Sequence, residues 1–221
     1  MSIKGIVIAL VFALAALTVS CTQTPSPEDQ NVSAEENKTT IIIGEFTFDT
    51  DEMLIEVKDA GLTAADIQQL SYANEAVILS LDSNRIDDIS VLAGLANLTS
   101  LSVSYNKITD IEPLAGLTGL TWLHLGNNLI EDISVLQGMN ELESLIIFEN
   151  QIKDISPLRN LTSLERLDLR SNMIEDISVL FGLTNLSYLN LSGNPVSKKD
   201  LSELEAVLVN CSITGTEADL P

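Results

Sequence analysis

The chain has 221 residues, with 32 acidic side chains against 11 basic ones and a formal net charge of −21. That balance excludes a nucleic-acid binder and electrostatic attachment to an anionic membrane surface. Two cysteines cannot build a disulfide framework, so stability has to come from a packed core.

The chain opens with Met1 to Lys4, an apolar run from Gly5 to Val19, and then Ser20-Cys21. One positive charge, a short apolar stretch and a small residue before the break read as a secretory signal over residues 1–20. The run is too short for a membrane span, which needs roughly 20 apolar residues. A cysteine directly after the small residue resembles a lipoprotein signal, in which Cys21 is lipidated and heads the mature chain. Signal removal also takes Lys4, making the balance one unit more negative. Residues 21–40 hold prolines and acids with little that is apolar, and read as a solvated tether. Residues 41–76 read as an N-terminal cap. Ile41, Ile43, Phe46 and Phe48 suggest a strand, and Asp51 to Lys58 a helix. Leu62, Asp66, Ile67 and Leu70 lie 22 residues before Asn84, Asp88, Ile89 and Leu92, so residues 55–76 form a degenerate first coil.

From residue 77 to 196 the period is unbroken. Asparagine recurs every 22 residues, at Asn84, Asn106, Asn128, Asn150, Asn172 and Asn194. The second copy reads Leu98-x-x-Leu101-x-Val103-x-x-Asn106-x-Ile108, and the others superpose without a gap. A fixed period of this size marks a solenoid in which one repeat is one coil. The columns headed by Leu79 and Leu81 alternate with outward residues, as a short half-buried strand requires. The columns headed by Ile86, Ile89 and Leu92 close the back of each coil, and only stacking can bury them. The asparagine amides should point inward, to backbone groups left unpaired where the chain leaves the strand. Ser90, Ser134, Ser156 and Ser178 stand at helix N-cap positions, with Pro113 and Pro157 at first helical positions. Gly94, Gly116, Gly138, Gly182 and Asn160 stand where a left-handed exit is expected. About one helical turn fits between these signals, so the back is short helical or 3₁₀ turns. Asp88, Asp110, Asp132, Asp154 and Asp176 form an acidic column; they either hold the turn entering that segment or, as stacked carboxylates, attract calcium.

Residues 197–221 read as a C-terminal cap. Ser197 with Asp200 forms a capping box, followed by Leu201, Leu204 and Leu208 at helical spacing. Cys211 reads as a small apolar residue of this cap. The 22-residue frame and the Asn-x-Ile-x-Asp-Ile-Ser-x-Leu segment, as in Asn128 to Leu136, resemble the bacterial internalin-like leucine-rich repeats. That resemblance covers roughly residues 62–213. It implies an α/β leucine-rich repeat horseshoe with a parallel concave sheet and short turns on the convex side. It implies no chemistry, because the family shares a scaffold.

The outward strand positions hold the functional candidates. The chain's one tryptophan, Trp122, and its one histidine, His124, are both there, with Ile146, Phe148, Tyr105 and Tyr188. Arg166 and Arg170 flank Asp168, either to grip a partner's carboxylates or to satisfy Asp168. Aromatics and arginine are the usual anchors of recognition sites. Ser100, Ser102 and Ser104 leave the N-terminal side of the face bland, and neither Trp122 nor Phe148 is counted in the core. No nucleophile–histidine arrangement, phosphate loop or Cys/His metal spacing is present, which argues against an enzyme and against any cofactor. The expected protein is an exported monomer, lipid-anchored in a bacterial envelope, whose concave face takes a protein or peptide ligand. The alternative is an adhesin for glycan or cell wall, with Trp122, Tyr188, Asn127 and Asn190 stacking on and bonding to sugar.

Overall fold

The computed structural model describes residues 39–215. Its main sheet has eight parallel strands in the order β10-β9-β8-β7-β6-β5-β4-β3. These are β3 (Leu54–Glu56), β4 (Ile78–Ser80), β5 (Ser100–Ser102), β6 (Trp122–His124), β7 (Ser144–Ile146), β8 (Arg166–Asp168), β9 (Tyr188–Asn190) and β10 (Ser212–Thr214). From β4 to β9 each residue pairs with the one 22 positions on, Leu101 with Leu123 and Leu123 with Leu145. The expected leucine-rich repeat solenoid is therefore the observed fold. Its core is one continuous stack, with Leu79, Leu101, Leu123, Leu145, Leu167 and Leu189 all fully buried.

The asparagines bond between coils as well as within them. Asn106 Oδ1 accepts from the Ile86 N–H of the preceding coil at 3.0 Å. Its Nδ2 donates back to Leu81 O at 3.0 Å and within its own coil to Val103 O at 3.1 Å. Asn128, Asn150, Asn172 and Asn194 repeat this pattern, so each amide joins two coils.

The back of each coil is a 3₁₀ turn, as at Ser90–Gly94 and Ser134–Gly138. The serines do not cap these turns through their side chains. The acidic column does: Asp88, Asp132, Asp154 and Asp176 accept from the backbone N–H of the serine two residues on, and Asp110 from that of Glu112, at 2.7–2.8 Å. These backbone bonds hold the Asp88, Asp132 and Asp176 carboxyls below the usual carboxylate range. The exit glycines are a second correction. Gly94, Gly116, Gly138 and Gly182 have no positive φ; the 3₁₀ turn instead ends on a residue such as Leu95, φ −82° and ψ 60°, whose N–H bonds Leu92 O. The left-handed position lies at the other end of the coil, just before each ladder asparagine. Ser83, Tyr105, Asn127, Glu149 and Ser171 have φ between +50° and +57°, and Gly193 has φ +74°.

Residues 51–58 hold no helix. Leu54–Glu56 is strand β3, paired in parallel with β4 through Leu54 to Ile78. Ile55 and Val57 alternate into the core, and an open edge of β4 offers backbone partners that a short helix there would leave unused. The coil they begin continues through Leu62, Ile67 and Leu70, all buried, and a 3₁₀ turn at Gln68–Tyr72. Ahead of it, β1 (Thr40–Ile43) and β2 (Phe46–Asp49) form an antiparallel hairpin rather than one strand. Gly44, with φ +60°, supplies the positive φ that its two-residue turn needs. Ile41 and Ile43 are buried, and the Ile42 N–H reaches Gln69 Oε1 at 2.7 Å. At the other end, α1 (Lys198–Val207) starts on Ser197, whose Oγ accepts from the Asp200 N–H at 3.1 Å. Leu201, Leu204 and Leu208 bury against the last coil, and Cys211 packs half-buried behind them.

Candidate functional site

Strands three residues long have a middle residue in the core and two flanking residues on the open face of the sheet. Because the register is fixed at one coil, the outward residues line up in rows across neighbouring strands. Trp122, Ser144, Arg166 and Tyr188 form one row, and His124, Ile146, Asp168 and Asn190 the next. Phe148, Tyr105 and Arg170 lie just past the strand ends.

The structure brings most of the candidate residues into contact. The Trp122 and His124 rings meet edge to face with centroids 5.7 Å apart. His124 lies 5.6 Å from Phe148, and Phe148 lies 6.0 Å from Tyr105. The Arg170 guanidinium stacks on the other side of this group, 4.1 Å from the Phe148 centroid. Arg166 stacks at 4.1 Å on Tyr188, one strand further on. Ile146 is half-buried beside His124 in the register.

Phe148 departs from expectation. It is only 5% exposed, so it is part of the packed structure and not an open anchor. The reason lies on the neighbouring coil: Gly126 occupies the same column, and a Cβ there would come within 2.6 Å of the Phe148 ring. The ring fills the space that this glycine leaves, with Tyr105, His124 and Arg170 around it. Tyr105, by contrast, is 48% exposed, and Trp122 is half-buried.

The two arginines have different roles. Arg170 satisfies Asp168: its Nη1 lies 3.3 Å from Asp168 Oδ2, and its N–H donates to Asp168 Oδ1 at 3.2 Å. Arg166 is exposed, and among the described residues no carboxylate pairs with it. Burial lowers the basicity of His124; Asp82 and Asp168 oppose this, Arg170 and Lys58 add to it, and the ring stays below its ordinary value. Burial thus favours the neutral ring. Its Nε2 is buried and, among the described residues, makes no hydrogen bond, and the same holds for Ser144 Oγ, a position that composition and spacing do not single out.

The N-terminal side of the face is not bland. Asp82 Oδ1 accepts from Ser102 Oγ, from Ser104 Oγ at 2.6 Å and from the Ser104 N–H at 2.8 Å. Ser80 Oγ donates to Oδ2 at 2.9 Å, and Lys58 Nζ stands 3.7 Å away. Burial alone would raise the Asp82 carboxyl; the hydrogen bonds from Ser102, Ser104 and Ser80 outweigh it and pull the group below the usual range. The signal was present in the sequence as an acid next to two serine-rich strands, but nothing in it told a bonded cluster from a bland one.

A coiled stack with an open parallel sheet, 3₁₀ backs and an inter-coil amide ladder defines a leucine-rich repeat protein. The family model for leucine-rich repeats in pairs of copies matches residues 77–116, 96–138, 118–160, 140–182 and 162–206, and the chain belongs to that family. Within it the chain is internalin-like. It is 33% identical to an internalin C2 from Listeria monocytogenes, over 75% of this chain and 81% of that one, with a TM-score of 0.61. A second Listeria monocytogenes internalin, inlF, is 32% identical over 76% of this chain, with a TM-score of 0.68; the chain spans 50% of its length. A leucine-rich repeat protein from Leptospira interrogans is 26% identical over 66% of this chain and 38% of that one, with a TM-score of 0.62. Among curated proteins, none matches the chain.

Proposed function

We propose that this is an exported, lipid-anchored binding protein of a bacterial envelope that takes a protein or peptide partner on the open face of its sheet. One observation carries the reading: exposed Tyr105 and half-buried Trp122 and His124, held together by the buried Phe148 and bordered by exposed Arg166, cluster on a face whose N-terminal side is a closed network of Asp82, Lys58 and serines. Aromatic rings beside arginine give a partner a large, stiff contact with directional polar edges. The chemistry of the face suits binding rather than catalysis. Among the described residues His124 makes no hydrogen bond to a hydroxyl or a carboxylate, and burial favours its neutral form. Export and anchoring rest on the Gly5–Val19 run and Cys21, which lie outside the described residues.

Trp122 is the anchor to test, because Phe148 also supports the fold. Capture of envelope and host-surface proteins by the full chain is compared with capture by Trp122→Ala. The partner should bind the variant at least about tenfold more weakly, a loss of about 1.4 kcal/mol, while its unfolding curve stays close to wild type. Undiminished capture by Trp122→Ala places the partner on another surface, and retention on a glycan array in place of protein capture moves the reading to sugar. Cys21→Ser should shift the protein from the membrane fraction to the soluble one; unchanged partitioning into detergent removes the lipid anchor from the proposal.

A further inference from the structure

Arg166 differs from the other charged groups of the open face. Lys58 is held by Glu56 at 2.5 Å and by Asp82, and Arg170 by Asp168 and Phe148. Among the described residues Arg166 has the Tyr188 ring beneath it and no ion-pair partner, and that ring is steadied by the Asn190 amide at 3.3 Å. Stacking fixes the guanidinium plane without using its N–H donors. Along the same row Ser144 separates Arg166 from Trp122. With strands about 4.8 Å apart, the Trp122 and Arg166 backbones lie about 10 Å from each other. A small residue between two large ones leaves a low point one residue wide in the row, a notch whose floor is screened from solvent. Ser144 Oγ at its floor is buried without a hydrogen-bond partner, and so is the neighbouring His124 Nε2. A native fold seldom leaves such atoms without partners, because each costs about 1–3 kcal/mol.

We propose that this notch binds the side-chain carboxylate of an Asp or Glu in a peptide partner, held by Arg166 and Ser144, with an adjacent apolar side chain of the partner on Trp122. The assignment rests on the open face being the docking surface. A guanidinium takes a carboxylate through two parallel N–H bonds, and a hydroxyl at the floor adds a third donor. Ser144 Oγ is screened from solvent, so the incoming carboxylate engages Arg166 on its Tyr188 platform and reaches the hydroxyl as the Trp122 side chain turns aside. The charge of the whole chain narrows the ligand. At −21 it repels polyanions most, so an acidic tract or an acidic polysaccharide is disfavoured relative to one carboxylate set among apolar residues.

The test uses random peptides displayed with their C-termini fused, so that side chains supply the only peptide carboxylates, and selected on the full chain. Selected peptides should share one Asp or Glu beside an aromatic or leucine. A synthetic representative with that acid changed to its amide should bind wild type at least about tenfold more weakly. The same change should matter by less than about twofold on Arg166→Gln. An absent acid preference, or an equal amide penalty on both proteins, overturns the carboxylate assignment; the docking face survives this if Trp122→Ala still weakens the peptide. Full binding to Trp122→Ala with no acid preference, or neither a selected peptide nor a bound sugar, overturns both. Arg166-dependent binding of acidic oligosaccharides without any peptide assigns the notch to a sugar and overturns the peptide class.

Discussion

The two halves of the open sheet face are built from the same frame and end in opposite states. Across β3 to β5 the polar groups close on one another. Asp82 takes donors from Ser80, Ser102 and Ser104, and Lys58 sits between Asp82 and Glu56. Across β6 to β9 large groups are only partly used: Trp122 is half-buried and, among the described residues, Arg166 pairs with no carboxylate and Ser144 Oγ makes no hydrogen bond, while Tyr105 just past β5 adds an exposed ring at the border. A repeat frame therefore specifies the strand and not the chemistry of its outward positions. One half has become a finished polar network, and the other presents groups that a second molecule can complete.

The largest expected effect falls on the boundary between these states, at Phe148. Phe148→Ala should cost about 3 kcal/mol, the low end of the range for truncating a buried phenylalanine, because it empties the space over Gly126 and takes away the surface under Arg170. Urea unfolding gives the number. A loss under about 0.5 kcal/mol would return Phe148 to the list of open anchors and blur the boundary.

The ladder runs beneath both halves, so its effect should be blind to them. Asn106→Ala under the serine-rich half and Asn150→Ala under the aromatic half should each cost about 1–3 kcal/mol and agree with each other. Both side chains are buried and carry the same bonds, to Leu81 and Ile86 or to Leu125 and Ile130. Asn127 is the control. It has φ +53° and its side chain meets Glu149, so Asn127→Ala mixes backbone strain with a lost bond. Asn127→Gly keeps the φ at no steric cost and should change stability by less than about 0.5 kcal/mol. A large difference between Asn106 and Asn150 would mean that the faces reach down into the ladder.

The smallest effect sharpens the polar half. Ser102→Ala removes one of the donors that hold Asp82 below the usual carboxylate range. A depressed carboxyl stabilises the fold at pH above the ordinary carboxylate range and loses that contribution as pH falls through its folded value. The variant should therefore be less stable by about 1 kcal/mol at neutral pH. Its deficit should shrink in acid, once Asp82 is protonated in both proteins. A deficit that does not change with pH would mean that Ser102 acts through packing and not through the carboxylate.

How far this was legible in the sequence depends on which positions repeat. The columns headed by Leu79, Leu81 and Ile89, and the asparagines, repeat without a gap, and each one stands where its period puts it. Strand β3 was missed because Leu54 pairs with Ile78, 24 positions away and not 22, so it falls outside the frame. The left-handed column was misplaced because glycine is the usual marker of positive φ, and here Tyr105 and Glu149 carry it under the constraint of the ladder bonds that follow. Gly126 beside Phe148 was readable as a small residue facing a large one, yet an outward column gives no reason to expect burial. The pairings of Arg170 with Asp168 and of Arg166 with Tyr188 depend on rotamers, which spacing does not determine.

The side-chain amide of each ladder asparagine bonds to its own coil and the one before, and β4 to β9 pair one coil at a time. Excising a whole repeat therefore leaves every remaining amide facing an equivalent carbonyl and N–H. The stack becomes shorter by about 4.8 Å, and no register changes. A whole repeat can therefore be added or removed without changing the register of the coils that remain. What each event changes is which outward rows become neighbours: loss of the coil that carries Ser144 would bring Trp122 against Arg166 and close the notch in one step.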